Sequence, residues 1–154
     1  MDPLWTTVTA LALLGSALVA GVFFAFSTFV MRGLDLAGAD VAAPAMRGIN
    51  VTALRPPLML ALFGTALLAV VLGIVALVSW TPASPWLLAA GAVYLLGEVV
   101  VTAVGNVPLN QRIDRETGGA YWREFLPKWN RWNHVRTIAG VAAAAGYLVA
   151  LLIA

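Results

Sequence analysis

Long uncharged apolar runs alternate with shorter polar stretches along the chain. Leu4–Met31 and Leu58–Trp80 carry no charge, and Trp86–Gly105 carries one, Glu98. Thr137–Ala154 is a fourth run, short enough that its helix is expected to begin earlier, after Pro127 and by residue 130. A membrane-crossing helix needs about 20 apolar residues. The pattern therefore predicts spans over roughly 4–31, 58–80, 86–105 and 130–154 in a single domain, 1–154. The fold class is all-α: an integral membrane four-helix bundle with short cytoplasmic connector helices.

The connections differ in length. Thr81–Pro85 is a tight link between spans 2 and 3, whereas 32–57 and 106–136 are long. In the first long connector, Asp40 is expected to cap a helix from Val41 to about Leu54, with Pro44 in its first turn. Met46, Ile49 and Ala53 then share a face, so the helix can lie in the interface or over the bundle mouth. In the second, Gly118-Gly119 marks a break before the Trp- and Arg-rich stretch "AYWREFLPKWNRWNHVR". Pro56-Pro57 fits the start of span 2. Small residues at four-residue spacing, Ala17, Gly21 and Ala25 in span 1 and Ala142 and Gly146 in span 4, are expected to let helices approach closely.

Composition sharpens this picture. The 154 residues are 62% hydrophobic and only 10% charged, with mean hydropathy +0.92. Soluble domains carry roughly a quarter charged residues. There is no cysteine and one histidine, so neither a disulfide framework nor a metal site of several His or Cys can form within one chain. The sequence pI near 9.5 reflects a net charge of only +2. The basic residues flank lipid-length segments and read as topology signals, with no nucleic-acid partner. Leu4–Met31 is too long for the apolar core of a signal peptide, about 7–15 residues, and no Lys or Arg precedes it. It is expected to stay as a span.

One carboxylate in an apolar run needs a reason. On a helix, Gly91, Tyr94, Glu98, Thr102 and Gly105 form one stripe, with Asn106 beside its end. A polar stripe at membrane depth faces the bundle or a cavity. Glu98 lies about 12 Å below the end of the span at 1.5 Å per residue. A bare carboxylate there is costly, so it is expected to be protonated or paired, with Arg136 and Arg55 the candidate partners. It is either a strut that fixes helix register or a general base. Asn106 and Asn110 bracket Pro108 and can cap the helix end there. Carboxamides also donate to a developing oxyanion. Trp129, Trp132, Asn133, Arg136 and Gly140 give span 4 a face of its own, although Trp and Arg at an interface also serve simply as an anchoring belt. His134 points elsewhere and reads first as a solvated interfacial histidine.

Four segments carry a further signal: "GVFFAFSTFVMRGL" at the end of span 1, "AMRGIN" in the first connector, "GNVPLN" at the end of span 3, and "WNRWNHVRT" opening span 4. In this order, in a four-span chain of this length, they resemble the DUF1772, or anthrone oxygenase-like, family. The resemblance covers nearly the whole chain. It implies oxidation of an anthrone-like or phenolic lipophile with no metal and no organic cofactor. Carried over onto these motifs, it places Asn50, Asn106, Asn110, Trp132, Asn133, His134 and Arg136 around a site. The stripe and the span 4 face add Glu98, Tyr94, Arg55 and Trp129. Glu98, His134, Arg136 and Asn106 are the catalytic candidates, and Asn50, Asn110, Trp129, Trp132, Asn133, Tyr94 and Arg55 the substrate-binding ones. The expected partners are the bilayer and a small lipophilic aromatic substrate, and homo-oligomerisation stays open. Two other readings stand beside it: a non-catalytic binder or carrier of a quinone- or phenol-like lipophile, and an accessory membrane subunit.

All nine Lys and Arg fall in the two long connectors or at their edges: Arg32, Arg47 and Arg55 in the first, and six from Arg112 to Arg136 in the second. The positive-inside rule puts these connectors in the cytoplasm and both termini outside, in the cell membrane. A reporter that works only in the cytoplasm is expected to be active when inserted in 106–136 and silent when fused after Ala154. The opposite pattern overturns the orientation.

Overall fold

The computed structural model describes residues 2–154, and all regular structure among them is helical. Helix α1 is Pro3–Leu36, α2 is Ala39–Ala53, α3 is Pro56–Val78, α4 is Ser84–Arg115 and α5 is Trp122–Leu152. All but α2 are long and apolar enough to cross a membrane. The chain is a multi-pass membrane protein built as an all-α bundle. Helix α1 packs against α3 and α5, and α4 packs against the same two, so the four spans close into a ring. Asp2 caps α1 by accepting the Leu4 N–H at 2.8 Å, and Pro3 takes the first position, where no donor is needed.

Three packed layers stack along the ring. Leu72, Leu87 and Tyr147 centre the layer at the end with the tight link. Val19, Phe23, Leu62 and Tyr94 form the middle. Met31, Met46, Trp122, Phe125 and Trp129 form the layer at the connector end, which α2 covers. Leu14, Leu18, Leu67, Leu96 and Ile138 face outward, as lipid-facing residues do.

Two of the four transmembrane helices, α1 and α4, contain wide turns. Residues Phe26–Val30 of α1 and Leu95–Val100 and Thr102–Asn106 of α4 are π-helical. In the last of these the Val107 N–H reaches back to the Thr102 carbonyl. Pro108 follows and has no N–H to give, so the wide turn sits where the ladder must break. The turns also set which side the polar residues face. Residues four apart drift by about 40° on an α-helix turning about 100° per residue, and a π-turn drifts the other way. Tyr94, Glu98 and Asn106 therefore all stay inside the bundle, at 0%, 0% and 1% exposure.

Several element ends differ from expectation. Helix α1 runs past Met31 because Met31 and Leu34 go on packing against the connector-end layer. Helix α4 does not stop at Asn106 but carries on to Arg115, so neither Asn106 nor Asn110 is a terminal cap. Helix α5 starts at Trp122 and takes Pro127 inside it. Asp40 lies in the first turn of α2, while Gly38 is its cap, at a φ of 88° that favours glycine. Pro44 falls beyond that first turn, inside the helix.

The close approaches also lie elsewhere than expected in α1. Ala17 and Gly21 are exposed, and a Cβ on Gly21 meets nothing. Ala12, Ser16 and Ala20 face the core instead. Tight contacts between spans include Gly15 of α1 on Thr65, Gly97 on Ala139, Gly146 on Ala90 and Gly140 on Ala20 and Glu98. A Cβ on Gly140 would run into Glu98 Oε1 and lie 2.8 Å from the Ala20 Cβ. Overpacking costs about 1–3 kcal/mol, more than the roughly 0.5–1 kcal/mol a helix gains when glycine is replaced by alanine. Gly140→Ala is thus expected to lower the melting temperature in detergent, and Gly21→Ala to leave it level or raise it. Equal shifts for the two variants would remove the packing argument.

Candidate functional site

A cavity of about 120 Å³ lies between the middle layer and the connector-end layer, beneath α2. Its wall is mostly apolar, with Phe23, Phe26, Met46 and Leu62 among its residues. Four polar side chains reach it: Asn50 from α2, Thr102 and Asn110 from α4, and Arg136 from α5. Small-molecule sites commonly combine an apolar wall with a few polar groups in this way.

Arg136 is the centre of the polar set and is 4% exposed. Its Nη1 donates to Thr102 Oγ1 at 3.2 Å and its Nη2 to Asn133 Oδ1 at 2.6 Å. The guanidinium carbon lies 3.8 Å from the centre of the Phe23 ring and 5.4 Å from that of Trp129. Such cation–π contacts contribute about 2 kcal/mol when desolvated. The Arg136 Nε has no partner among the described residues. Asn133 holds the pair from behind. Its amide nitrogen donates at 2.7 Å to both the Phe23 carbonyl and Ser27 Oγ on α1, just where α1 widens. Ser27 in turn meets Thr137 of α5 at 3.1 Å.

Trp129 is fixed from the other side by the two carboxamides. Asn106 donates to the Trp129 carbonyl at 3.3 Å, and the Trp129 indole N–H donates to Asn110 Oδ1 at 2.8 Å. An indole N–H only donates and a carbonyl only accepts, so both amide orientations follow. Asn110 keeps its amino group for the cavity it lines. Asn106 gives one of its two N–H groups to Trp129 and retains an unpartnered acceptor, Oδ1. Helix α2 is pinned over the cavity by Asn50, which donates to Asp114 Oδ1 at 3.1 Å, and by Arg47, which donates to the Ile113 and Glu116 carbonyls. Trp122 ties the start of α5 to Asp35 near the end of α1 at 2.8 Å.

Glu98 is fully buried and faces the bundle, one turn along α4 from Thr102. Of the two expected states the paired one is not found: Glu98 makes no ion pair or hydrogen bond with Arg136, Arg55 or any other described residue, and both its oxygens lack a partner. Glu98 and Arg136 are near enough to influence each other electrostatically without touching. Arg136 instead spends its bonds on Thr102 and Asn133. Gly140 gives the carboxylate its space.

The eleven expected site residues thus fall into three groups. Asn50, Asn110, Trp129 and Arg136 line the cavity. Glu98, Tyr94, Asn106 and Asn133 are buried around it without lining it, and Tyr94 donates to the Leu62 carbonyl at 3.1 Å. Trp132, His134 and Arg55 are exposed and stand apart. Trp132 lies about 60° and His134 about 140° round the helix from Trp129, which turns both away from the bundle. Sequence reasoning missed Phe23 and Ser27. The available signal was a hydroxyl at i+4 from Phe23 in the same line as Ser16, Ala20 and Phe23.

A family model described as anthrone oxygenase matches residues 57–146, more than half of the chain. The chain belongs to the anthrone oxygenase family. The matched segment contains Glu98, Thr102, Asn106, Asn110, Trp129, Asn133 and Arg136, while the α1 and α2 walls of the cavity lie outside it. No curated protein and no solved structure matches the chain significantly.

Removing the Asn133 side chain would leave an Arg136 N–H without its partner and take from Ser27 one of its two. An unmet buried group costs about 1–3 kcal/mol, more when charged. Asn133→Ala is expected to lower stability clearly, whereas His134→Ala, on the exposed side, is expected to leave it unchanged. Thermal unfolding of both variants in one detergent checks the contrast.

Proposed function

We propose that this member of the anthrone oxygenase family is a membrane-embedded oxygenase acting on an anthrone-like or phenolic lipophile without a cofactor, with the cavity under α2 as its substrate site. The observation that carries the reading is a buried guanidinium, stacked on Phe23, at the edge of an otherwise apolar cavity. An anthrone has an acidic CH across its central ring from the ketone, and losing that proton gives a flat, electron-rich enolate whose charge is shared with the ketone oxygen. Arg136 and the free amino group of Asn110 are the donors for its oxygen. Preorganised donors of this kind lower the barrier most where charge develops.

The reaction balances with oxygen alone. The enolate carbon gives its electron pair to O2, and the resulting peroxide regains a proton. Loss of the second CH proton together with hydroxide breaks the O–O bond. One oxygen atom ends in the new ketone and the other in water. Glu98, one turn from Thr102, is the proton acceptor in this scheme, and the proton must pass Thr102, whose hydroxyl lines the cavity but does not itself bond Glu98. The cavity, about 120 Å³, is smaller than the roughly 150 Å³ that takes one benzene, so on this reading only the oxygen-bearing edge of the substrate enters and the fused rings lie at the rim toward Leu54. The long connectors and the cavity belong, on this reading, to the cytoplasmic half.

A second reading, a carrier of quinone- or phenol-like lipophiles, rests on one observation: no carboxylate or imidazole lines the cavity itself. Oxygen uptake decides between them. The purified protein given an anthrone is expected to consume one O2 per quinone formed. Arg136→Ala is expected to lose about 10²–10³ in rate, and Glu98→Gln to lose turnover while staying folded. Binding of the aromatic with no oxygen uptake would establish the carrier reading instead.

A further inference from the structure

A surface groove larger than the cavity has no part in that site. It lies on the outer side of α4 and α5, at the connector end, with a volume of about 440 Å³. Gly105 and Pro108 of α4 and Lys128, Arg131, Trp132 and Val135 of α5 form it. Its floor exists because Gly105 has no side chain: a Cβ there would run into the Trp132 ring, 2.6 Å from Cγ and Cδ2. The indole lies on the glycine and remains 38% exposed.

The groove is graded in polarity. Below Trp132, Val104 and Val135 continue it as an apolar valley, exposed at 61% and 40%. Above Trp132 the surface is basic. Arg131 makes no hydrogen bond or ion pair with any described residue. Lys128 meets Glu124 at 2.8 Å, but that carboxylate is shared with Arg112 at 3.0 Å. Positive charge is therefore left over at this end. Trp132 also keeps its N–H for an occupant.

We propose that this groove binds one anionic phospholipid. The groove opens on the lipid side of two membrane-crossing helices, so its occupant comes from the bilayer. A phosphodiester presents two free oxygens that suit the Arg131 fork, and basic pockets at the ends of transmembrane helices hold anionic headgroups. The glycerol region lies on Trp132, and an acyl chain follows the valine valley. A zwitterionic headgroup brings its own cation against Lys128 and Arg131 and is disfavoured. The assignment rests on none of the oxygenase argument.

Native mass spectrometry of the intact protein, released from detergent with added phosphatidylglycerol or phosphatidylcholine, tests it. One phosphatidylglycerol is expected to stay bound, about tenfold more tightly than phosphatidylcholine, and not to be displaced by soluble glycerol phosphate. Arg131→Glu is expected to abolish the preference. Arg123→Glu, the same charge change on an exposed position outside the groove, is expected to keep it. Gly105→Ala, which shifts Trp132 without changing charge, is expected to weaken the bound lipid. Equal retention of both lipids, equal losses for the Arg131 and Arg123 variants, displacement by glycerol phosphate, or an unaffected Gly105 variant would each overturn the assignment.

Discussion

Arg136 and its partners hold the central constraint of this bundle. Lipid tails are as apolar as leucine, so helices gain little by burying leucines against one another. Close packing and polar bonds must select the arrangement instead. Arg136 joins α5 to α4 through Thr102, and Asn133 joins α5 to α1 through Phe23 and Ser27. An interhelical hydrogen bond in a membrane averages only about 0.6 kcal/mol. Leaving a buried charge without its partner costs about 3–5 kcal/mol. The clamp is therefore weak as glue and strong as a selector: a register that separates Arg136 from Thr102 and Asn133 is heavily disfavoured.

The wide turns follow from the same constraint. Phe23 offers its carbonyl to Asn133 beside the π-turn of α1, and the second π-turn of α4 precedes Pro108. Together they explain why the spans were legible in the sequence while their ends were not. Hydropathy reports where lipid-like residues stop. It does not report where a helix stops when the next residues, such as Met31, Leu34 and Ile113, find packing beyond the bilayer. Pro108 and Pro127 were natural places to expect a boundary. In the fold both lie inside helices, and a widened turn before Pro108 removes the cost of its missing donor.

The candidate site was legible in its residue types and less so in its geometry. The Tyr94–Glu98–Asn106 stripe was readable because charged and carboxamide groups stand out against an apolar run. Which of the span 4 residues turn inward depends on angles of tens of degrees. Trp129, Asn133, Arg136 and Gly140 fall within about 40° of one line, and Trp132 falls outside it. The role of each carboxamide was not readable at all. Asn106 and Asn110 look equivalent in "GNVPLN", yet one meets a carbonyl and the other an indole N–H on the same tryptophan. Opposite partners leave opposite ends free, and only Asn110 retains a donor toward the cavity.

The spacing between Glu98 and Arg136 is then informative in itself. A carboxylate hydrogen-bonded to the guanidinium would compete with any anion formed in the cavity. Here the two groups influence each other without touching, and each keeps unpartnered atoms. On the proposed reaction, a proton leaving the substrate moves to Glu98 as negative charge appears on the substrate oxygen. The step needs Glu98 ionised beforehand, a state that the nearby Arg136 favours against the cost of burial; Glu98 then loses its charge, so the field of Arg136 passes from one anion to the other. The buried region keeps the same net charge throughout. In a low-dielectric interior this matters more than any single contact, because creating an extra uncompensated charge costs several kcal/mol, whereas exchanging the partner of an existing cation avoids that cost.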